Sequence, residues 1–514
     1  MSTVVRLCQR CLAKICLTCG VLAACTTLVL LPALAEELPA GTRLEARLSM
    51  ATGSRVSHRG DLIEATIIAP ISGQGRILVP QGARLLGSIA EAHALGLGLK
   101  RSTANLSYDF DTLRYPNGAT VAVHTRLIAA ETAKEHVDSF GVVHGIHPVA
   151  SLSSNLSFYV FPLLVLDPGV GIPVWAVKSL VAPSANPEIY FPAGTELILQ
   201  LTTAVEVPRT LGNFVRVKPL VPSSVTDVAH LLKISPQRAY LGNHPSDTVN
   251  LVLMGSREQM DRAFQAAGWF QAQRKSPMAL YRMYSALCHR HGYSKAPMNT
   301  LTLNGAPAAF VRQKGLNTVE KRHHVRFWQA PGHADVWLGT AAEDVGFRFE
   351  LTHWTHYINP HIDNERAKVV NDLAFTGCVG AAGLVSRPSG ELKHDSEAEQ
   401  GTVSDGKVAV AQLNSCRDPE RMAGVGGAPT VHQQGRVTRG LTAFRKDLVR
   451  SNIFFTAYNT VKLLATSQRL PVAASIPVTS AEARNLNWLT AAGRATKSSG
   501  TIASASNERR DRPE

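Results

Sequence analysis

The run VNLVLMGSREQMDRAFQAAG (Val249–Gly268) decides the fold of the second half of the chain. Val249–Met254 reads as a buried-type strand. Ser256 then stands three residues before Gln259, the pairing of a capping box at a helix start. Met260, Ala263, Phe264 and Ala267 recur at helical spacing, and Gly268 supplies the stop. Working outward, a second amphipathic helix is expected over Ser276–His289. Strands are expected at Thr300–Leu303, Ala308–Arg312, His323–Trp328 and Val336–Thr340. Asn359 as N-cap and Pro360 at the first helical position open a helix to Phe375, with Gly377 beyond it, and Lys407–Leu413 closes the unit. The order β-α-α-β-β-β-β-α-β predicts an α+β domain with helices on one face of a mainly antiparallel sheet.

Upstream, Leu38–Val207 carries short alternating runs separated by turn signals such as Gln81-Gly82 and Asn117-Gly118. Strands are expected at Thr42–Leu48, Leu62–Ile68, Arg76–Val79, Ala83–Ile89, Leu106–Leu113 and Thr120–Ile128. PAGT at 39–42 leads into RLEARL, and PAGT at 192–195 leads into ELILQL. This echo predicts two related β units, or one sheet closed by its first and last strands. Between Phe140 and Val181 the apolar run SFYVFPLLVLDPGVGIPVWAV is interrupted by Pro162, Asp167, Pro168 and Pro173. Those residues argue for a buried or surface-docked loop over a membrane hairpin. The expected organisation is therefore a multidomain chain: leader 1–35, all-β region 36–207, connector 208–246 with a helix around Val225–Lys233, α+β domain 247–414, and a basic, largely disordered tail 415–514.

The formal charge of +14 is concentrated at the two ends. Arg6, Arg10 and Lys14 lie in the leader, and residues 436–514 hold thirteen Lys or Arg against five Asp or Glu. The folded part is close to neutral, which argues against a nucleic-acid surface. The basic residues, the apolar Ile15–Leu34 and Ala33-Leu34-Ala35 follow the order of a secretory signal peptide cut after Ala35. Leu22-Ala23-Ala24-Cys25 offers lipoprotein processing, and an uncleaved anchor is the third option. All three predict export to the periplasm or envelope. Five of the eight cysteines fall in the leader; Cys288, Cys378 and Cys416 remain, allowing at most one disulfide.

Chemistry-bearing residues gather in Lys321–Arg366. On a strand, His323, Val325 and Phe327 point one way and His324, Arg326 and Trp328 the other. The first set is expected in the core, with His323 as a hydrogen-bonded structural histidine. The second predicts a partly exposed face with Trp328 against Arg326, or an anion site with Arg326 as forked donor and His324 as proton donor. Ile362, Arg366, Val369 and Leu373 share one helical stripe, so Arg366 requires a carboxylate, with Asp363, Glu343 and Asp344 as candidates. Arg366 could instead hold an anionic ligand at the helix N-terminus. His324, His353, His356, His361, Asp363 and Glu365 offer metal-ligand types, but no spacing assigns a metal, and no cofactor is specified. No nucleophile elbow or phosphate loop occurs.

Residues 247–414 resemble the LssY C-terminal domain family through NLVLMGSREQMDRAFQAAGW, RHHVRFW, THYINPHIDNER and SDGKVAVAQL, in that order. The resemblance implies an envelope-linked, secretion-associated protein of undefined activity. Asn359 stands where the family usually has Asp. PAGTRLEARL, GDLIEATIIAPI and RILVPQGARLLGSI resemble β-rich segments of envelope proteins in secretion and conjugation systems. Two functions follow as expectations. In one, the protein binds and assembles with envelope or secretion-system proteins, a membrane surface or an anionic ligand. In the other, it is a hydrolase of phosphate-containing envelope molecules, with His324 and His356 as acid and base and Arg326, Trp328, Asp363 and Arg366 lining the ligand site.

Overall fold

Arg43–Leu48 (β1) is joined in the N-terminal sheet by Leu62–Ile67 (β2), Arg84–His93 (β3), Asn105–Arg114 (β4), Thr125–Ala130 (β5) and Glu196–Leu201 (β6). In this computed structural model the order is β5-β6-β1-β2-β3-β4, all antiparallel, with short strands beyond β4. The structure describes residues 35–73, 76–95, 103–132, 134–146, 152–182, 185–208, 217–314, 321–350, 353–387, 402–416, 461 and 486–489. The sheet curls until the segment before β5 returns to β4: Val123 N donates to Asp111 O at 2.8 Å, and Thr125 Oγ1 to Phe110 O at 3.2 Å. The near-barrel closes around Leu44, Leu85, Leu106, Phe110 and Leu199.

The two PAGT segments explain this closure. β1 and β6 lie side by side, Leu44 opposite Leu199. Gly41 and Gly194 both take φ +91°, a left-handed turn that a side chain would strain. Gly41 N donates to Leu201 O and Gly194 N to Leu48 O, each at 2.8 Å. The echo is therefore a local two-fold in which each turn caps the end of the other's strand.

The segment expected as a loop is instead a pair of helices, Leu152–Leu166 (α1) and Pro168–Val181 (α2). Asp167 caps α2 by accepting from Gly169 N and Val170 N, and Pro168 begins it where no amide hydrogen is needed. Gly171 lets the helices cross closely, since a Cβ there would meet the Leu164 backbone at 2.5 Å.

The second sheet contains Lys218–Pro219 (β7), His244–Met254 (β8), Phe310–Lys314 (β9), Arg322–Gln329 (β10), Val336–Glu350 (β11), His353–Ile358 (β12), Val379–Ser386 (β13) and Lys407–Leu413 (β14). Its order is β7-β13-β14-β8-β11-β10-β9, with β12 on the far end of β11; only β7–β13 and β8–β14 are parallel. The helices are Pro222–Ile234 (α3), Arg257–Ala266 (α4), Pro277–His289 (α5) and Ile362–Phe375 (α6). The capping box at Ser256 and Gln259 is present as read. Phe264 of α4 and Val369, Val370 and Leu373 of α6 bury the face carrying Val325 and Phe327. The other face is covered by α3, the helix expected in the connector, whose Val228 and Leu232 pack with Trp328 and Leu338. Leu486, Trp488 and Leu489, within the segment expected to be largely disordered, are seated in the first core, where Trp488 Nε1 donates to Asn371 Oδ1 at 2.9 Å.

Candidate functional site

Helix α6 begins two residues later than expected, with His361 rather than Asn359 at the cap. Asn359 is drawn elsewhere: its Nδ2 donates to Glu343 Oε2 at 2.9 Å, and its Oδ1 accepts from His361 N at 3.1 Å. From Asn364 to Ala374 every residue of α6 is buried. One side packs on the sheet. Another carries Glu365, Lys368 and Asp372, a charged stripe at spacings of three and four that turns toward the β-rich region.

That stripe meets Arg47, Glu131 and Glu196 from the N-terminal region and Lys314 and His323 from β9 and β10. Glu196 accepts from Arg47 Nη2 at 2.5 Å and is also paired with Lys314 and Lys368. Asp372 Oδ2 accepts from Lys314 Nζ at 2.8 Å and from Trp269 Nε1 at 3.0 Å. Lys368 Nζ reaches Glu131 Oε1 at 3.1 Å. Burial alone would raise the Glu196 carboxyl, but Lys314, Lys368 and Arg47 outweigh it and hold it well below the ordinary range.

His323 lies between two carboxylates, Nδ1 at 2.7 Å from Glu365 Oε2 and Nε2 at 3.0 Å from Glu131 Oε1. Burial disfavours its charged form, yet Glu365 and Glu131 overcome that and push the imidazole up to about 10. Directly across the sheet, in register with His323, stands Glu343. Donor atoms of His323, Glu343 and Glu365 lie within 4.8 Å of one another. From sequence His323 is expected as a structural histidine, Glu343 as a candidate partner of Arg366 and Glu365 among the metal-ligand types; nothing in the sequence joins them to one another or to Arg47, Glu131, Glu196, Lys314, Lys368 and Asp372. A charged helical stripe reads as a solvated face, and nothing local marks it as an interface.

The predicted residues fall into separate places. His324 and Arg326 point to the α3 side, and their face is buried rather than partly exposed. Arg326 Nη1 lies 2.5 Å from Asp247 Oδ2, and His324 Nε2 3.5 Å from the same oxygen. Burial opposes the Asp247 charge, but Arg326, with help from His324, keeps the carboxyl below its ordinary range. Trp328 is core, its indole donating to Ala306 O at 3.0 Å. Arg366 sits on α6, against the opposite face of the sheet. It has the carboxylate it required: Asp363 Oδ1 at 3.1 Å, with Asp405 gripped at 2.8 and 3.1 Å. Asp363 also accepts from Ser404 Oγ and Asp405 N, so this group ties the 402–407 segment to α6. The side chain of His356 lies outside the described residues, although its backbone pairs with Phe347.

A second feature is on the surface. Tyr159, Val165, Leu166, Ile172, Val177 and Leu180 of the α1–α2 hairpin are exposed, Leu166 and Leu180 at 82%. Tyr284 of α5 donates its hydroxyl to Val181 O, bringing a helix with exposed Met278, Leu280 and Tyr281 to the hairpin's end. No helix among the described residues is long and apolar enough to cross a membrane.

Residues 232–408 match the protein family described as LssY C-terminus. No curated protein matches the chain. Among solved structures, ComB10 of the Com type IV secretion system of Helicobacter pylori is similar at 13% identity, covering 34% of this chain and 91% of that one, with a TM-score of 0.20.

Proposed function

We infer that this is an exported cell-envelope protein that binds and assembles at a membrane surface. The observation that carries this is the α1–α2 hairpin, whose large apolar side chains face outward on both helices. Exposed apolar area of that extent is costly in water and marks an interaction surface. A 15-residue helix is about 22 Å long, short of the roughly 30 Å bilayer core, so the hairpin suits an interfacial seat. The neighbouring α5 extends the apolar surface. Two features support export: the signal-peptide pattern of residues 1–35, and the disulfide joining Cys378 to Cys416, a bond that persists in oxidising compartments.

A hydrolase built from the predicted residues would need them in one pocket. Among the described residues His324 and Arg326 lie on one face of the sheet beside Asp247 and Arg366 on the other, and both arginines are already ion-paired. Vesicle flotation tests the membrane role. The purified chain is expected to float with phospholipid vesicles, and the triple variant Leu166→Ser, Ile172→Ser, Leu180→Ser to stay in the dense fraction with unchanged circular dichroism. Equal flotation of both proteins, or recovery of the leader-bearing chain as a soluble cytosolic species, would overturn the proposal.

A further inference from the structure

We propose that His323, Glu343 and Glu365 form a binding site for one divalent transition-metal cation. Register places His323 and Glu343 on the same face of neighbouring strands, and α6 lays Glu365 over them. An ion of this class takes imidazole nitrogen and carboxylate oxygen together. At bond lengths of about 2.1 Å a tetrahedral ion holds its donors about 3.4 Å apart. The donors here lie within 4.8 Å, so closing in by at most about 1.4 Å, within the reach of carboxylate torsions, completes the set.

Two further observations point to a cation. Glu365 is 1% exposed, and among the described residues its buried Oε1 has no hydrogen-bond partner, an acceptor left over after Oε2 has bound His323. Such an atom is costly to bury unless something positive reaches it. A dication takes the place of the Nδ1 proton, which leaves to solvent: the N–H bond breaks and nitrogen–metal and carboxylate–metal contacts form. Finally, the supporting groups are in place. Glu131 accepts from Nε2 and fixes the ring with Nδ1 toward the two glutamates, while Asn359 holds Glu343. Glu343 is only half-buried and gives the ion its route from solvent.

Mn2+ is the probe, because it avoids the leader thiols, and its unbound form is counted by electron paramagnetic resonance. The full chain is expected to bind one Mn2+, displaced by Zn2+. Glu343→Gln and Glu365→Gln are each expected to weaken binding at least tenfold, and Glu91→Gln, an exposed residue of β3, to leave it unchanged. Glu343→Gln keeps a partner for Asn359, and its circular dichroism is expected to match the parent, so its loss of metal is separable from misfolding. Absence of Mn2+ binding by the parent chain, or binding equal in the parent and both glutamine variants, would overturn the proposal.

Discussion

Lys368 of α6 places its ammonium 3.1 Å from Glu131 of the β-rich region, and both side chains are withdrawn from water. The same lysine is paired with Glu196. One residue of the LssY-like half thus neutralises two carboxylates of the other. Removing a partner from a buried pair leaves an uncompensated charge, at about 3–5 kcal/mol. Lys368→Met is expected to lower unfolding stability by that amount in urea. Combining it with Glu196→Gln is expected to recover part of the loss, and strict additivity of the two would show the groups to be uncoupled.

Arg326 stands in the same relation to Asp247 on the other face of the sheet. Arg326→Met is expected to cost about 3–5 kcal/mol, read from the denaturation midpoint. Arg84→Ala, a surface ion-pair partner that is 53% exposed, is expected to change stability by no more than about 1 kcal/mol. Equal effects of the two substitutions would remove the distinction drawn here between buried and exposed pairs.

The pH dependence has two limbs with opposite signs. The folded Glu196 and Asp247 carboxyls lie below their unfolded values of roughly 4, so their stabilisation is present above that pH and is lost as pH falls below it. Folded His323 lies at about 10, above an unfolded value of roughly 6.5. Its contribution is complete below about 6.5 and is lost as pH rises through about 10. Urea midpoints measured with a chelator present are expected to be highest near pH 5–6.5 and to decline on both sides. His323→Gln is expected to flatten the alkaline decline while leaving the acid limb in place.

Cys378 and Cys416 close a loop of sequence separation 38 behind β13 and β14. Cys378→Ser is expected to lower stability by about 2–4 kcal/mol. Dithiothreitol is expected to destabilise the parent chain toward the variant and to leave the variant unchanged, as followed by thermal melting.

Much of the second half was legible because local signals agreed there. The β8 apolar run, the Ser256–Gln259 cap and the alternation through His323–Trp328 all point to the elements observed. The α1–α2 hairpin was not legible, since Pro162 and Pro173 argue against helix, whereas the prolines are accommodated within two short helices. The junction was missed for a different reason. Lys368 and Asp372 find partners at Glu131, Glu196 and Arg47, well over a hundred residues away, and no short window contains both sides. Arg366, whose partner lies three residues off at Asp363, was legible by the same logic.

The paired PAGT turns set a condition on how the chain matures. Arg47 meets Glu196 across a sequence separation of 149, so β1 presents a bare hydrogen-bonding edge until β6 has been made. A β domain that completes itself only with its last strand acquires its shape late and slowly. Until Leu201 has been made, the β domain stays open along that edge and so threadable.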